Sequence, residues 1–81
     1  MKDINKNEKR ALEAICADCD NLDGWGFTRL WDMCEAVAQE FKYNYQVAGG
    51  YIKALMDKRL IDVDKHDDEV WVRPEVYELF A

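Results

Sequence analysis

From Glu8 to Leu22 the apolar residues Ala11, Leu12, Ile15, Cys16, Cys19 and Leu22 recur at intervals of three and four. This spacing places them on one stripe of an amphipathic helix. The segment Asp20-Asn21-Leu22-Asp23-Gly24-Trp25-Gly26 ends that helix, since turn formers and two glycines oppose its continuation. A second helix is predicted from Thr28, whose hydroxyl suits an N-cap, to about Phe41. Leu30, Trp31, Cys34, Val37, Ala38 and Phe41 form its apolar side, and Arg29, Asp32, Glu35, Gln39 and Glu40 its wet side.

Lys42-Tyr43-Asn44 interrupts the pattern, with Asn44 placed to cap a third helix from Tyr45. Ala48, Tyr51, Ile52, Leu55 and Met56 supply the inward face of that helix, with Leu55 at its centre. The period then changes to two. Leu60-Ile61-Asp62-Val63-Asp64 alternates apolar and acidic residues, Lys65-His66-Asp67-Asp68 is a polar turn, and Glu69-Val70-Trp71-Val72-Arg73 alternates again. Such a pair reads as a β-hairpin, which is marginal alone and must pack on the helices. Pro74 can open a last short helix that returns Val76, Tyr77, Leu79 and Phe80 to the core. Trp31 and Trp71 fall on buried stripes, whereas Trp25 stands in a loop between two glycines.

The whole chain, residues 1–81, fits one domain, because so short a chain has no room for a second core. Hydrophobic residues at 49% and charged residues at 35% suit a globular rather than a disordered chain. Met1–Lys6 hold too few apolar residues for a signal peptide, and no run approaches a membrane span. A cytoplasmic location without membrane attachment is expected. Cys16, Cys19 and Cys34 are an odd number and fit free thiols in a reducing compartment.

Net charge is −6, unevenly spread. Residues 42–59 carry +3 (four basic, one acidic), whereas 11–41 carry −6 (one basic, seven acidic) and 60–81 carry −5 (two basic, seven acidic). One basic segment in an acidic chain bears on nucleic-acid binding, which depends on local positive charge.

Phe27-Thr28 before the second helix, and Gly50-Tyr51-Ile52-Lys53-Ala54-Leu55-Met56-Asp57-Lys58-Arg59-Leu60-Ile61 running into the hairpin, resemble the winged helix-turn-helix superfamily of small bacterial and phage regulators. The resemblance implies an α+β fold of three helices, a two-stranded hairpin wing and a short C-terminal helix. It also implies a DNA-binding transcriptional regulator, of the kind phages and mobile elements encode, working as a homodimer on double-stranded DNA. The third helix would enter the major groove with Tyr45, Gln46, Gly49, Gly50 and Lys53 exposed and Lys42 just ahead. Gln46 would read an adenine edge, and Lys42 and Lys53 would meet phosphates.

Two features point to another class of ligand. Gly49-Gly50 costs the helix roughly 1 kcal/mol per glycine relative to alanine and removes side chains where base readers stand. Close internal packing is the expected compensation, a smooth ligand surface the alternative. The hairpin turn carries Asp67, Asp68 and Glu69, which repel phosphates. The competing reading is therefore an acidic protein-binding module that engages a basic partner or occupies a host protein's nucleic-acid site. Trp25, Asp67, Asp68 and Glu69 would then form its interface, Trp25 acting as an aromatic anchor unless it folds back over the end of the first helix.

Cys16, Cys19, Cys34 and His66 nominally make four zinc ligands. The second paired spacing of a zinc site is missing, and the thiols fall on apolar faces where they pack as small hydrophobes. No metal or cofactor is expected. Without a serine, with a single histidine in an acidic turn and no glycine-rich loop after a strand, the chain offers no catalytic constellation. An enzyme is not expected.

Overall fold

The computed structural model describes residues 4–80; Met1–Asp3, half of the polar N-terminus read above, and Ala81 lie outside the described residues. The first helix, α1, spans Lys6–Asp18. It begins two residues before Glu8 because Asn5 caps it. The Asn5 side chain accepts from the Glu8 amide at 2.8 Å, and the Glu8 carboxylate accepts from the Asn5 amide at 3.0 Å, a reciprocal capping box. Glu8 also meets Lys58 Nζ at 2.6 Å, which holds its carboxyl below the usual range and ties α1 to the end of the third helix.

At its other end α1 stops before Leu22, which belongs to a strand. Asp20–Leu22 (β1) and Trp25–Arg29 (β2) form a hairpin around Asp23-Gly24, both left-handed at φ 55° and 90°. A two-residue turn with both φ positive matches the twist of paired strands, and Asn21 Oδ1 secures it by accepting from the Gly24 amide at 2.8 Å. Thr28 consequently sits inside β2 and does not cap the second helix. Its hydroxyl donates to Asp18 Oδ2 at 2.8 Å instead.

The second helix, α2, spans Leu30–Glu40, and the third, α3, spans Tyr45–Asp57 with the Asn44 side chain accepting from the Val47 amide as expected. Asp62–Asp64 (β3) and Glu69–Val72 (β4) form the expected hairpin, and Pro74–Tyr77 (α4) the expected last helix with proline in its first turn; it buries Val76 and Tyr77, but Leu79, beyond its end, is 61% exposed and does not return to the core. The strands join in one antiparallel sheet of order β1-β2-β4-β3. The second hairpin is therefore half of a four-stranded sheet and not a separate two-stranded element.

Alternation gives this sheet two unlike faces. Gly26, Thr28, Val70 and Val72 are buried on the inner face. Tyr77 of α4 closes over Gly26, where an added Cβ would lie 2.6 Å from the ring. The helices α1, α2 and α3 contact one another in every pairing, and α2 meets both β2 and β4. Leu12, Ile15, Met33, Val37, Leu55, Val70 and Val72 are wholly enclosed. Trp31 departs from the prediction at 69% exposed, while Met33 takes the buried place on α2; Trp71 departs too, half-buried on the opposite face of β4 from the core residues Val70 and Val72. The side chain of Trp31 projects about a quarter turn from the middle of the face that Met33, Val37 and Ala38 bury. Among the described residues, no helix is long and apolar enough to cross a membrane.

Candidate functional site on the open face of the sheet

Opposite the core, the sheet presents Trp25, Phe27 and Arg29 from β2 and Glu69 and Trp71 from β4. The register aligns Asp20, Phe27, Trp71 and Asp62 across all four strands, and Arg29, Glu69 and Asp64 across three. The aromatic rings touch. Phe27 and Trp71 lie 4.7 Å apart between centroids, and Trp25 meets Trp71 edge to face at 6.0 Å and 87°. Such pairs hold each other's orientation beyond simple area burial. An open groove of about 590 Å³ runs along this surface, lined by Leu22, Asp23, Trp25, Asp62 and Trp71.

Two carboxylates thus flank a pair of indoles. Arg73 Nε stands 3.6 Å from Asp62 Oδ2, an exposed and loose pairing. Arg29 has its guanidinium 5.2 Å from the Phe27 ring centroid, so one cation already rests on this face. Trp25 accordingly does not fold back over α1; it remains 39% exposed and packs on Trp71. Leu22, Phe27, Trp71, Asp23 and Asp62 were absent from the predicted interface. Asp23-Gly24 held the missing signal, because that dipeptide between apolar residues favours a hairpin and so brings Leu22 beside Trp25.

The predicted acidic residues lie elsewhere on the same sheet. Trp25 and Arg29 are at opposite ends of β2, and Glu69 pairs with Arg29, so Trp25 is separated from Glu69 by about four residues of strand, roughly 13 Å. The carboxylates of Asp64, Asp67 and Glu69 come within 4.8 Å of one another. Asp67 is held above the ordinary carboxylate range, first by the charge of Asp64. Asp68 takes the left-handed conformation in the turn, and its carbonyl accepts from the Leu30 amide at 3.3 Å. Glu69 nevertheless accepts from the Trp71 indole Nε1 at 3.3 Å and so borders the aromatic surface, whereas Asp67 and Asp68 stand in the turn beyond it.

All six residues predicted on or before α3 are exposed: Lys42, Tyr45, Gln46, Gly49, Gly50 and Lys53. The polar groups of two of them are already engaged. Lys53 pairs with Asp57 at 3.1 Å, and the Tyr45 hydroxyl donates to Glu35 at 3.1 Å, which raises the phenol's pKa. Gly49 and Gly50 have nothing within 4 Å of a would-be Cβ, so close internal packing does not account for them. They leave the middle of α3 smooth and open to solvent.

Cys16 is buried, Cys19 and Cys34 are half-buried, and all three are free thiols. Burial pushes Cys16 up to about 11 and Cys19 to about 12. Asp64, Asp67 and Glu69 are the one group of three or more potential metal ligands within reach of one another among the described residues. The nominal set of Cys16, Cys19, Cys34 and His66 is not assembled. Comparison of the chain with family models, curated proteins and solved structures finds no match.

Proposed function

We propose that the chain is a winged-helix module that binds a basic segment of another protein through the open face of its sheet. Three long helices, with the β1–β2 hairpin between the first two and the β3–β4 hairpin after the third, support the winged-helix reading, as does the pairing of β2, which precedes α2, with β4. The groove carries the choice of ligand. An exposed indole, Trp25, and a half-buried one, Trp71, next to carboxylates favour cationic side chains, and the net charge of −6 attracts a basic partner over longer range. On this reading the surface acts by binding.

A second reading, DNA recognition by α3, draws on the exposure of Tyr45, Gln46, Gly49, Gly50 and Lys53 on that helix. It requires the acids at the β3–β4 turn to stay clear of the duplex, and paired modules to read two half-sites. Isotope-labelled protein titrated in turn with a mixed Arg/Lys decapeptide and a mixed-sequence duplex at low salt separates the two. The peptide should shift the amides of Leu22 and Asp62 and the indole signals of Trp25 and Trp71, while the duplex leaves α3 unmoved. Shifts at Gln46 and Lys53 with the duplex, and none with the peptide, would reverse the assignment.

A further inference from the structure

Resting on the protein-binding reading, we infer that the groove selects arginine: it takes guanidinium groups of an extended basic segment against Trp25 and Trp71, with Asp23 and Asp62 as their carboxylate partners. Charge complementarity names the class of occupant. Asp23 and Asp62 line the groove, and Asp20 is aligned with Asp62 across the sheet. Arg73 is the cation near Asp62, and at 3.6 Å its Nε is beyond hydrogen-bond distance. A ligand guanidinium that reaches Asp62 directly would form the shorter contact.

Shape distinguishes among cations. A quaternary ammonium prefers a closed box of rings around a compact charge, whereas this groove is open and extends from Leu22 on β1 to Asp62 on β3. Four strands at about 4.8 Å spacing make that span roughly 14 Å, long enough for more than one side chain of an extended peptide. A guanidinium is flat, less strongly hydrated than an ammonium, and can stack on an indole while its edge donates two hydrogen bonds to a carboxylate. Lysine offers a compact, well-hydrated charge without a stacking plane.

The same arrangement occurs within the chain. Arg10 lies 4.7 Å from the Phe41 ring centroid while its Nε donates to Glu40 Oε1 at 3.1 Å and its Nη2 to the Glu40 carbonyl at 3.1 Å. Arg29 lies over Phe27 on the groove's own face. Ring and carboxylate together thus hold the Arg10 guanidinium, and the groove presents the same two kinds of group with Arg73 only loosely paired to Asp62.

The test uses Trp31→Phe protein, so that the remaining tryptophans, Trp25 and Trp71, report from the groove. Penta-arginine, pentalysine and a trimethyllysine pentapeptide are titrated by fluorescence at 50 and 150 mM salt. Penta-arginine should bind at least fivefold more tightly than either other peptide at both salt concentrations. Asp62→Asn and Asp23→Asn should each weaken it several-fold, with the circular dichroism spectrum unchanged. Equal affinity for arginine and lysine peptides, or preference for trimethyllysine, would overturn arginine selection while leaving the basic-partner reading in place. No response to any basic peptide would overturn both. If either variant alters the fold, penta-arginine titrated into wild-type protein and followed at the Asp23 and Asp62 amides decides between groove binding and diffuse attraction.

Discussion

Replacing Gly49 and Gly50 together by alanine should stabilise the isolated protein. Both lie in the interior of α3, and neither has the left-handed φ that would require glycine. An alanine Cβ at either position meets nothing within 4 Å, so no steric term opposes the change. Glycine in a helix interior costs roughly 0.8–1 kcal/mol relative to alanine, mostly backbone entropy retained by the unfolded chain. Consecutive helical positions do not face each other, so the two contributions should add to about 1.5–2 kcal/mol. For a domain of this size that corresponds to a rise in Tm of roughly 6–16 °C. Equilibrium urea unfolding followed by far-ultraviolet circular dichroism measures it, with an unchanged m-value confirming that only stability moved. A midpoint that stays put or falls would refute the reasoning and show that α3 is covered in solution. If the variant is stabilised and also loses a ligand, the smooth strip itself makes contact, and α3 becomes the working surface.

Gly26 provides the opposite case, since a Cβ there would lie 2.6 Å from a Tyr77 ring that is itself buried. Gly26→Ala should destabilise by about 1–3 kcal/mol in the same urea assay, and a neutral result would mean that α4 can lift from the sheet at little cost. Cys16 and Cys19 should make the fold sensitive to alkali. Their raised pKa values mean that the unfolded chain releases these protons first, near pH 8.5–9, so stability falls as pH rises from there toward 11–12. Urea midpoints at pH 8, 9 and 10 should fall more steeply for the wild type than for a Cys16→Ala/Cys19→Ala variant; parallel slopes would show that the thiols titrate freely in the fold.

Helix periodicity made α1, α2 and α3 legible because each buries one stripe on the other two. Asn44 and Pro74 were legible because their roles are local: one side chain meets one amide, and one ring fixes one φ. The hairpin β3–β4 followed from strict alternation, but its partner β2 did not. Trp25–Arg29 buries only a glycine and a threonine, and its strand character comes from pairing with β4, a tertiary contact distant in sequence. Reading Thr28 as a cap followed from missing that pairing, and reading Leu22 as part of a helical stripe from missing the β1–β2 hairpin. Trp31 shows a second limit. A large apolar side chain near the margin of a helical face can lie on either side of it, and Met33 fitted the interior better. The groove was illegible for the same reason as β2: Leu22, Trp25, Asp62 and Trp71 meet only once the strand order is known. Trp25 could be marked as an anchor, but its companions could not.

The hydrogen bond from the Leu30 amide to the Asp68 carbonyl has a mechanical consequence. Arg29, the N-cap residue of α2, contributes no side-chain bond, so the turn of a hairpin remote in sequence satisfies a donor at the start of the helix. Opening either element gives up this bond, which couples the hairpin turn to the first turn of α2. A hairpin tip that would otherwise flex independently is braced against a helix whose Met33 and Val37 reach the centre of the molecule. The acidic tip is thereby tied through Leu30 to the helix that carries Met33 and Val37 into the core.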